Sequence, residues 1–258
     1  MPNFAVNLSM LFTEVPLAER FAAAAEQGFS KVEIQFPYAL AATEIAHLLK
    51  QNNQQIVLLN APAGDAQKGD RGIACHPHRV SEFREGVAQA IDYAKQLNCP
   101  NINILSGISP VGYDADLIEK TLIDNLTFCA EQMAEAGIQL LVEAINTQDI
   151  PGFFVNNSRQ AFALFEAIDH PNIKLQYDIY HMQIMEGNLI HTLTNNLDKI
   201  GHIQFADVPG RHEPQTGELN FSNIFQALDD MGYSGITSLE YNPSVSTTES
   251  LHWLKQIA

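Results

Sequence analysis

Glu143, Asp178, Gln204 and Glu240 lie within or at the end of four short apolar runs, LLVEA, KLQYD, HIQFA and ITSLEY, one residue per successive run. A carboxylate inside such a run must be paired, protonated or bound to a cation, because burying it alone costs several kcal/mol. Lys and Arg are too scarce in these segments to pair each acid locally. A salt bridge or hydrogen bond would serve for any one of them; four on successive runs point to a shared metal. Three carboxylates and one amide oxygen suit a hard divalent cation, Mg²⁺ first and Mn²⁺ next, while Zn²⁺ stays open. Four protein ligands leave about two octahedral positions for a substrate with two neighbouring oxygens, such as an α-hydroxy carbonyl compound. Such a metal would stabilise an enediolate, with Glu143 and Glu240 on opposing sides as the acid/base pair. The chemistry expected is a proton-transfer isomerisation.

Further polar residues gather near these four. His181 follows Asp178 by three in YDIYHM and is placed to bond a substrate oxygen or a ligating carboxylate. His202 precedes Gln204 by two and so shares its face of the strand, as a layer beneath the metal. Arg211 and His212, in DVPGRHEPQTGELNF, are candidates for gripping a substrate carboxylate or closing over the site, and Arg71 in GDRGIACHPHR is a second such cation. Cys75–His78, CHPH, has neither of the usual zinc spacings and reads as loop. Trp253 reads as a core or interface anchor.

Residues so far apart in sequence need a scaffold that gathers them. Strands are expected at 4–8, 32–36, 56–60, 102–105, 140–144, 174–178, 202–206 and 236–241. Helices fit between them at 16–27, 43–52, 82–97, 115–136, 159–168, 189–199, 222–231 and 248–256. Gly28, Gly137 and Gly232 stand where helices end and are expected at positive φ. Strict βα alternation with right-handed crossovers leaves a doubly wound sheet or a closed barrel, and eight units within 258 residues favour one α/β domain over 1–258, a (β/α)8 TIM barrel. In that fold the C-terminal strand ends carry the chemistry. No strand precedes G-x-G-x-x-G or a P-loop, so no nucleotide cofactor is expected. The irregular stretch 61–80 is long enough to be a lid or a substrate-binding segment.

Composition narrows the partners. Thirty acids against 14 Lys plus Arg give a formal charge of −16, and no basic stripe is present, which argues against nucleic acid. Cys75, Cys99 and Cys129 are odd in number and far apart, so they read as small buried residues in a reducing cytoplasm. Without a basic leader or an eighteen-residue apolar run, the expectation is a cytoplasmic protein away from membranes. Association into a homo-oligomer is compatible with such a barrel, with no interface marked in the sequence.

Over essentially its full length the chain resembles the hydroxypyruvate isomerase family of the xylose-isomerase-like TIM barrels. The resemblance rests on VNLSMLF, QFPY, PAGD, DRGIACHP, LLVEAIN, DIPGF, LQYDIYHMQ, GHIQFAD, RHEP, TGELNF and LEYNP. It implies reversible isomerisation of hydroxypyruvate to tartronate semialdehyde, a small 2-oxo/hydroxy acid substrate. It also implies Glu143 and Glu240 as proton donor and acceptor, and Glu143, Asp178, Gln204 and Glu240 as metal ligands. Where the wider superfamily usually has histidine, this family and this chain have Gln204. The sister 2-oxo-tetronate isomerases share VEA, the seventh-strand glutamine and RHEP, whereas DRGIACHP and YDIYHMQIMEG look closer to the hydroxypyruvate branch. Asn242 stands where the family commonly has lysine, and Ala39 where it commonly has an acid. A non-catalytic sugar-acid-binding barrel is the alternative outside enzymes, and a zinc repair nuclease would need histidines and a basic surface that the chain lacks.

Overall fold

In the computed structural model, which describes residues 2–257, eight parallel strands close on themselves in chain order. They are β1 Asn3–Asn7, β2 Lys31–Ile34, β3 Gln55–Asn60, β4 Asn101–Ile104, β5 Gln139–Glu143, β6 Ile173–Asp178, β7 Ile200–Phe205 and β8 Ile236–Leu239. β1 pairs with β8 as well as β2, which completes the barrel. Every expected strand is present within two residues at each end.

The outer helices are α1 Leu17–Glu26, α2 Ala42–Gln51, α3 Val80–Leu97, α4 Ala115–Glu135 and α5 Ser158–Ile168, then α7 Leu189–Asn196 and α8 Phe221–Asp230. Gly28, Gly137 and Gly232 adopt φ of 88°, 70° and 74° just past α1, α4 and α8, a conformation that a Cβ would strain. Two segments depart from the expectation. The final helix is broken into α9 Thr247–Ser250, a 3₁₀ turn and α10 Leu254–Ile257. An unforeseen short helix, α6 Ile179–Met185, starts directly at the end of β6. Asp178 creates it by accepting the Tyr180 N–H at 2.8 Å, as an N-cap does.

Between barrel and helices lies a large apolar layer in which Trp253, 2% exposed, packs edge-on against Phe4 and Phe205. A smaller apolar cluster of Ala5, Val57, Leu58 and Leu141 is separate from it. Ala5 and Leu141 precede Asn7 and Glu143 by two residues, so they form the floor on which the polar interior stands. One irregularity aims that interior: β6 pairs Leu175 with Ile200 and then Gln176 with His202, skipping Gly201. A Cβ at Gly201 would come within 2.6 Å of the Leu141 side chain, so a larger residue would have to displace that buried leucine where this bulge turns His202 and Gln204 inward.

Candidate metal and acid/base site

The C-terminal ends of β5, β6, β7 and β8 bring Glu143, Asp178, Gln204 and Glu240 together, all buried. Each carboxylate has one oxygen tied back to the scaffold. Glu143 Oε2 accepts from Asn103 Nδ2 at 3.0 Å, and Asp178 Oδ1 accepts the α6 N–H. Glu240 Oε1 accepts from Asn7 (2.8 Å), Gln35 (2.9 Å) and Gln204 (3.0 Å). The remaining oxygens turn toward a common centre. His181 Nε2 stands 3.7 Å from Glu143 Oε1 and 3.4 Å from Asp178 Oδ2, while one Arg211 nitrogen reaches both Asp178 Oδ2 (3.2 Å) and Glu240 Oε2 (2.5 Å).

So much negative charge in one dry place works against itself. Burial pushes the Glu143 carboxyl well above the usual range, and the charges of Glu240 and Asp178 push it further. Burial likewise raises Asp178, and it raises Glu240 to about 8 although Arg211 pulls the other way. Burial opposes the Arg211 charge too, but Glu240, Asp178 and Glu143 outweigh it and hold the guanidinium charged.

His181 is neutral, because burial and the Arg211 charge hold its pKa well below the ordinary value. Its tautomer follows from Asn146. The Asn146 side-chain oxygen Oδ1 accepts the N–H groups of Gln148 and Asp149, so its side-chain Nδ2 is the group facing His181 Nδ1 at 2.7 Å. Nδ1 is therefore an acceptor and the proton sits on Nε2, toward the carboxylates. Glu143, Asp178 and His181 form a cluster whose ligand atoms lie within 4.8 Å of one another, close enough to hold a metal ion. With its proton on Nε2, His181 turns an N–H toward the acids rather than a lone pair, and the open ligand atoms are carboxylate oxygens.

Of the two loop cations considered, Arg211 is inside the cluster and Arg71 is outside it. The scarcity of basic residues within the strands does not leave the acids without a cation, since the loop after β7 supplies Arg211. Asp207 shapes that loop by accepting from the N–H groups of Val208, Gln215, Gly217 and Leu219. Arg211 adopts φ 57°, stands over the Tyr180 ring at 5.1 Å, and its carbonyl accepts the Asn242 N–H. His212 does not enter the cluster; its Nδ1 bonds the Asn242 carbonyl at 2.7 Å and closes the loop onto β8. Arg71 is exposed and donates to the Asp70 carbonyl. CHPH runs into a 3₁₀ turn at Pro77–Arg79, and all three cysteines are free and buried.

Sequence reasoning missed the polar residues behind the site: Asn7, Glu33, Gln35, Asn103, Asn146 and Gln176. Glu33 in KVEIQF and Asn103 in NINIL carried the same signal as Glu143, a polar residue within an apolar strand. They lie on strands two and four, outside the block from strand five to strand eight that drew attention first.

The xylose isomerase-like TIM barrel family matches residues 21–257, so the chain belongs to that family. It is 46% identical to the hydroxypyruvate isomerase of Escherichia coli (strain K12), over 98% of each chain. It is 42% identical to the 2-oxo-tetronate isomerase of Pectobacterium atrosepticum, over 98% of this chain and 97% of that protein. Among solved structures, the AP endonuclease, family 2, from Brucella melitensis superposes with a TM-score of 0.96, at 43% identity and 99% coverage of both chains.

Proposed function

We propose that the protein is an aldose–ketose isomerase that interconverts hydroxypyruvate and tartronate semialdehyde. Full-length similarity to isomerases of two closely related 2-oxo acids supports the reaction class. The observation that carries the mechanism is the convergence of Glu143 Oε1, Asp178 Oδ2 and Glu240 Oε2, each with its sister oxygen tied back.

A divalent cation fits this donor set. The free inward atoms of the three acids are oxygens, one arginine is shared among them, and that guanidinium already lies there as an internal cation. Glu143, Asp178, Gln204 and Glu240 would hold it. Gln204 Oε1 accepts from Gln176 Nε2 at 2.6 Å and keeps a second lone pair for a metal. Mg²⁺ is the first choice, Mn²⁺ the second and Zn²⁺ the third. When bound, the metal polarises the substrate carbonyl and lowers the cost of the charge left by proton removal.

The residues do the rest. One of Glu143 and Glu240 takes a proton from the hydroxymethyl carbon of hydroxypyruvate, leaving an enediolate. A proton is returned at the adjacent carbon, and redistribution of the hydroxyl protons yields the aldehyde with no net gain or loss of atoms. His181, donating through Nε2–H, steadies the oxygen that gains charge. Arg211 binds the substrate carboxylate from the loop, and His212 supports it by pinning that loop to Asn242. Arg71 is proposed as an outer cation that guides the anionic substrate toward an otherwise acidic protein.

The alternative substrate is a 2-oxo-tetronate, favoured by relatives at 42% and 41% identity. A parallel assay of both compounds on one metal-loaded sample tests the assignment. A preference of at least about tenfold in kcat/KM for hydroxypyruvate is expected, worth about 1.4 kcal/mol. An equal preference for the tetronate moves the protein to the sister activity, and turnover of neither removes the reading. The formal charge of −16 argues against a nucleic-acid substrate.

A further inference from the structure

An amide ligates a metal only through its oxygen, so a glutamine at this position must be prevented from turning its NH₂ group toward the cation. At Gln204 the candidate for that task lies two strands beyond the barrel closure, on β2. Glu33 is fully buried, and its Oε1 accepts from Gln204 Nε2 at 2.7 Å and from Asn7 Nδ2 at 2.9 Å. Its Oε2 meets His202 Nε2 at 2.8 Å. The Gln204 and Asn7 amides also donate to Glu240 Oε1, so they bridge Glu33 to one of the two acid/base residues.

We propose that Glu33 is a positioning residue: by accepting from Gln204 Nε2 it fixes which way the Gln204 amide faces, and through the Asn7 and Gln204 bridges it holds Glu240 Oε1 away from the centre. The proposal deepens the reading of the site given above and rests on it. Glu33 touches neither substrate nor metal in this scheme. What it supplies is an acceptor, and two substitutions separate that from a charge or a packing role. His202 Nδ1 is buried and has no hydrogen-bond partner among the described residues, so moving the imidazole proton there to leave Nε2 as an acceptor breaks no existing bond, at the cost of one unpaired buried N–H. Glu33→Gln therefore keeps an oxygen for Gln204 and Asn7 while its new NH₂ donates to His202. Glu33→Met keeps the length and removes the acceptor.

The test is calorimetric titration of Mn²⁺ into the metal-free wild type, E33M, E33Q, Q204A and the E33M/Q204A double variant, with thermal unfolding as the check on folding. Loss of a partner behind a metal ligand typically costs 10–100-fold in affinity. E33M is expected to bind Mn²⁺ about 10–100-fold more weakly than wild type, and E33Q to stay within about fivefold of it. In the Q204A background E33M should add less than about threefold, because the amide it would release is gone. Wild-type affinity in folded E33M overturns the proposal, as does an E33Q defect as large as that of E33M, or an undiminished E33M penalty without Gln204. Should E33M not fold, Glu33→Asp keeps the charge beside His202, withdraws the acceptor, and carries the same expectation and the same overturning result. Absence of Mn²⁺ binding by the wild type is a different failure, since it removes the reading of the whole site and this proposal with it.

Discussion

Two groups of acids occupy the same end of the barrel and behave in opposite ways. After β3, Asp70 and Glu82 face Arg79, which reaches Asp70 at 2.8 Å and Glu82 at 2.6 Å, while Lys68 meets Asp65 at 3.1 Å. At Asp70 burial is outweighed by the Asp65 N–H and the Arg79 pair, and at Glu82 the Arg79 bond dominates, so both stay below the ordinary carboxylate range. At the strand ends, Glu143, Asp178 and Glu240 share Arg211 and are all shifted up. The loop group is neutralised by its own residues. The strand-end group shares one arginine among three upshifted carboxyls, and that contrast is what supports reading it as the site.

The largest expected effect sets the two groups furthest apart. Glu143→Gln and Glu240→Gln should each lower kcat by about 10²–10⁴-fold or more, with far-ultraviolet circular dichroism unchanged. Glu82→Gln should leave kcat/KM within about twofold. Substantial turnover by either barrel variant would withdraw that residue from proton transfer.

Next come the two arginines. In the metal-free protein, Arg211→Gln leaves three buried acids facing one another and is expected to cost about 3–5 kcal/mol by denaturant unfolding, less whatever protonation recovers. Arg79→Gln releases Glu82, half exposed at 52%, and the better buried Asp70, for about 1 kcal/mol. Equal losses would mean that the strand-end acids are not under strain from their own charge.

Metal loading should reach only one group. At a hundredfold excess over Kd, Mg²⁺ or Mn²⁺ should stabilise the wild type by about 2.7 kcal/mol, and chelation should abolish activity that metal restores. Loading is expected to stabilise Glu82→Gln as much as wild type and Glu240→Gln much less.

The groups also respond to pH with opposite signs. A carboxyl raised from 4.5 to about 8 on folding, as Glu240 is, leaves the folded state holding the extra proton. Its stabilisation is complete below about 4.5 and is lost as pH rises toward about 8, by at most about 1.4 kcal/mol per unit for one proton. Asp70, lowered, contributes above 3.8 and loses that contribution as pH falls below it. Thermal midpoints of metal-free wild type and Glu240→Gln between pH 5 and 8 check this, the variant having the flatter profile. Parallel profiles would place the titration elsewhere.

The contrast explains what the sequence made legible. The barrel was readable because the alternation of amphipathic helices with β-branched or aliphatic strands repeats eight times, and repetition corrects local error. The four candidate ligands stood out because they fall on four successive strands, although Glu33, Asn103 and Gln176 are buried strand acids or amides too and serve as supports. Arg211 was readable as a cation but not as the one inside the cluster, since its direction depends on Asp207 gathering four N–H groups and on a positive φ. Glu33 was hidden by pairing across the closure: only a closed barrel brings a residue of the second strand against the seventh. The α6 helix was hidden because Asp178 serves both as candidate ligand and as N-cap, and a cap at the end of a strand leaves no separate mark in the sequence.

The smallest effect is expected at Arg71, and it bears most directly on the loop after β3. Its exposure and its bond to the Asp70 carbonyl make it part of the neutralised group's rim, whereas Arg211 lies within the acid centre. Arg71→Ala should change stability by no more than about 0.5 kcal/mol. If Arg71 acts only through its field, kcat should hold and KM should rise by less than about twofold, the rise fading as salt shortens the reach of the charge. A rise of fivefold or more that persists at high salt would mean direct contact. The loop would then close over bound substrate, and the division between a neutral rim and a centre of upshifted acids would describe only the open state.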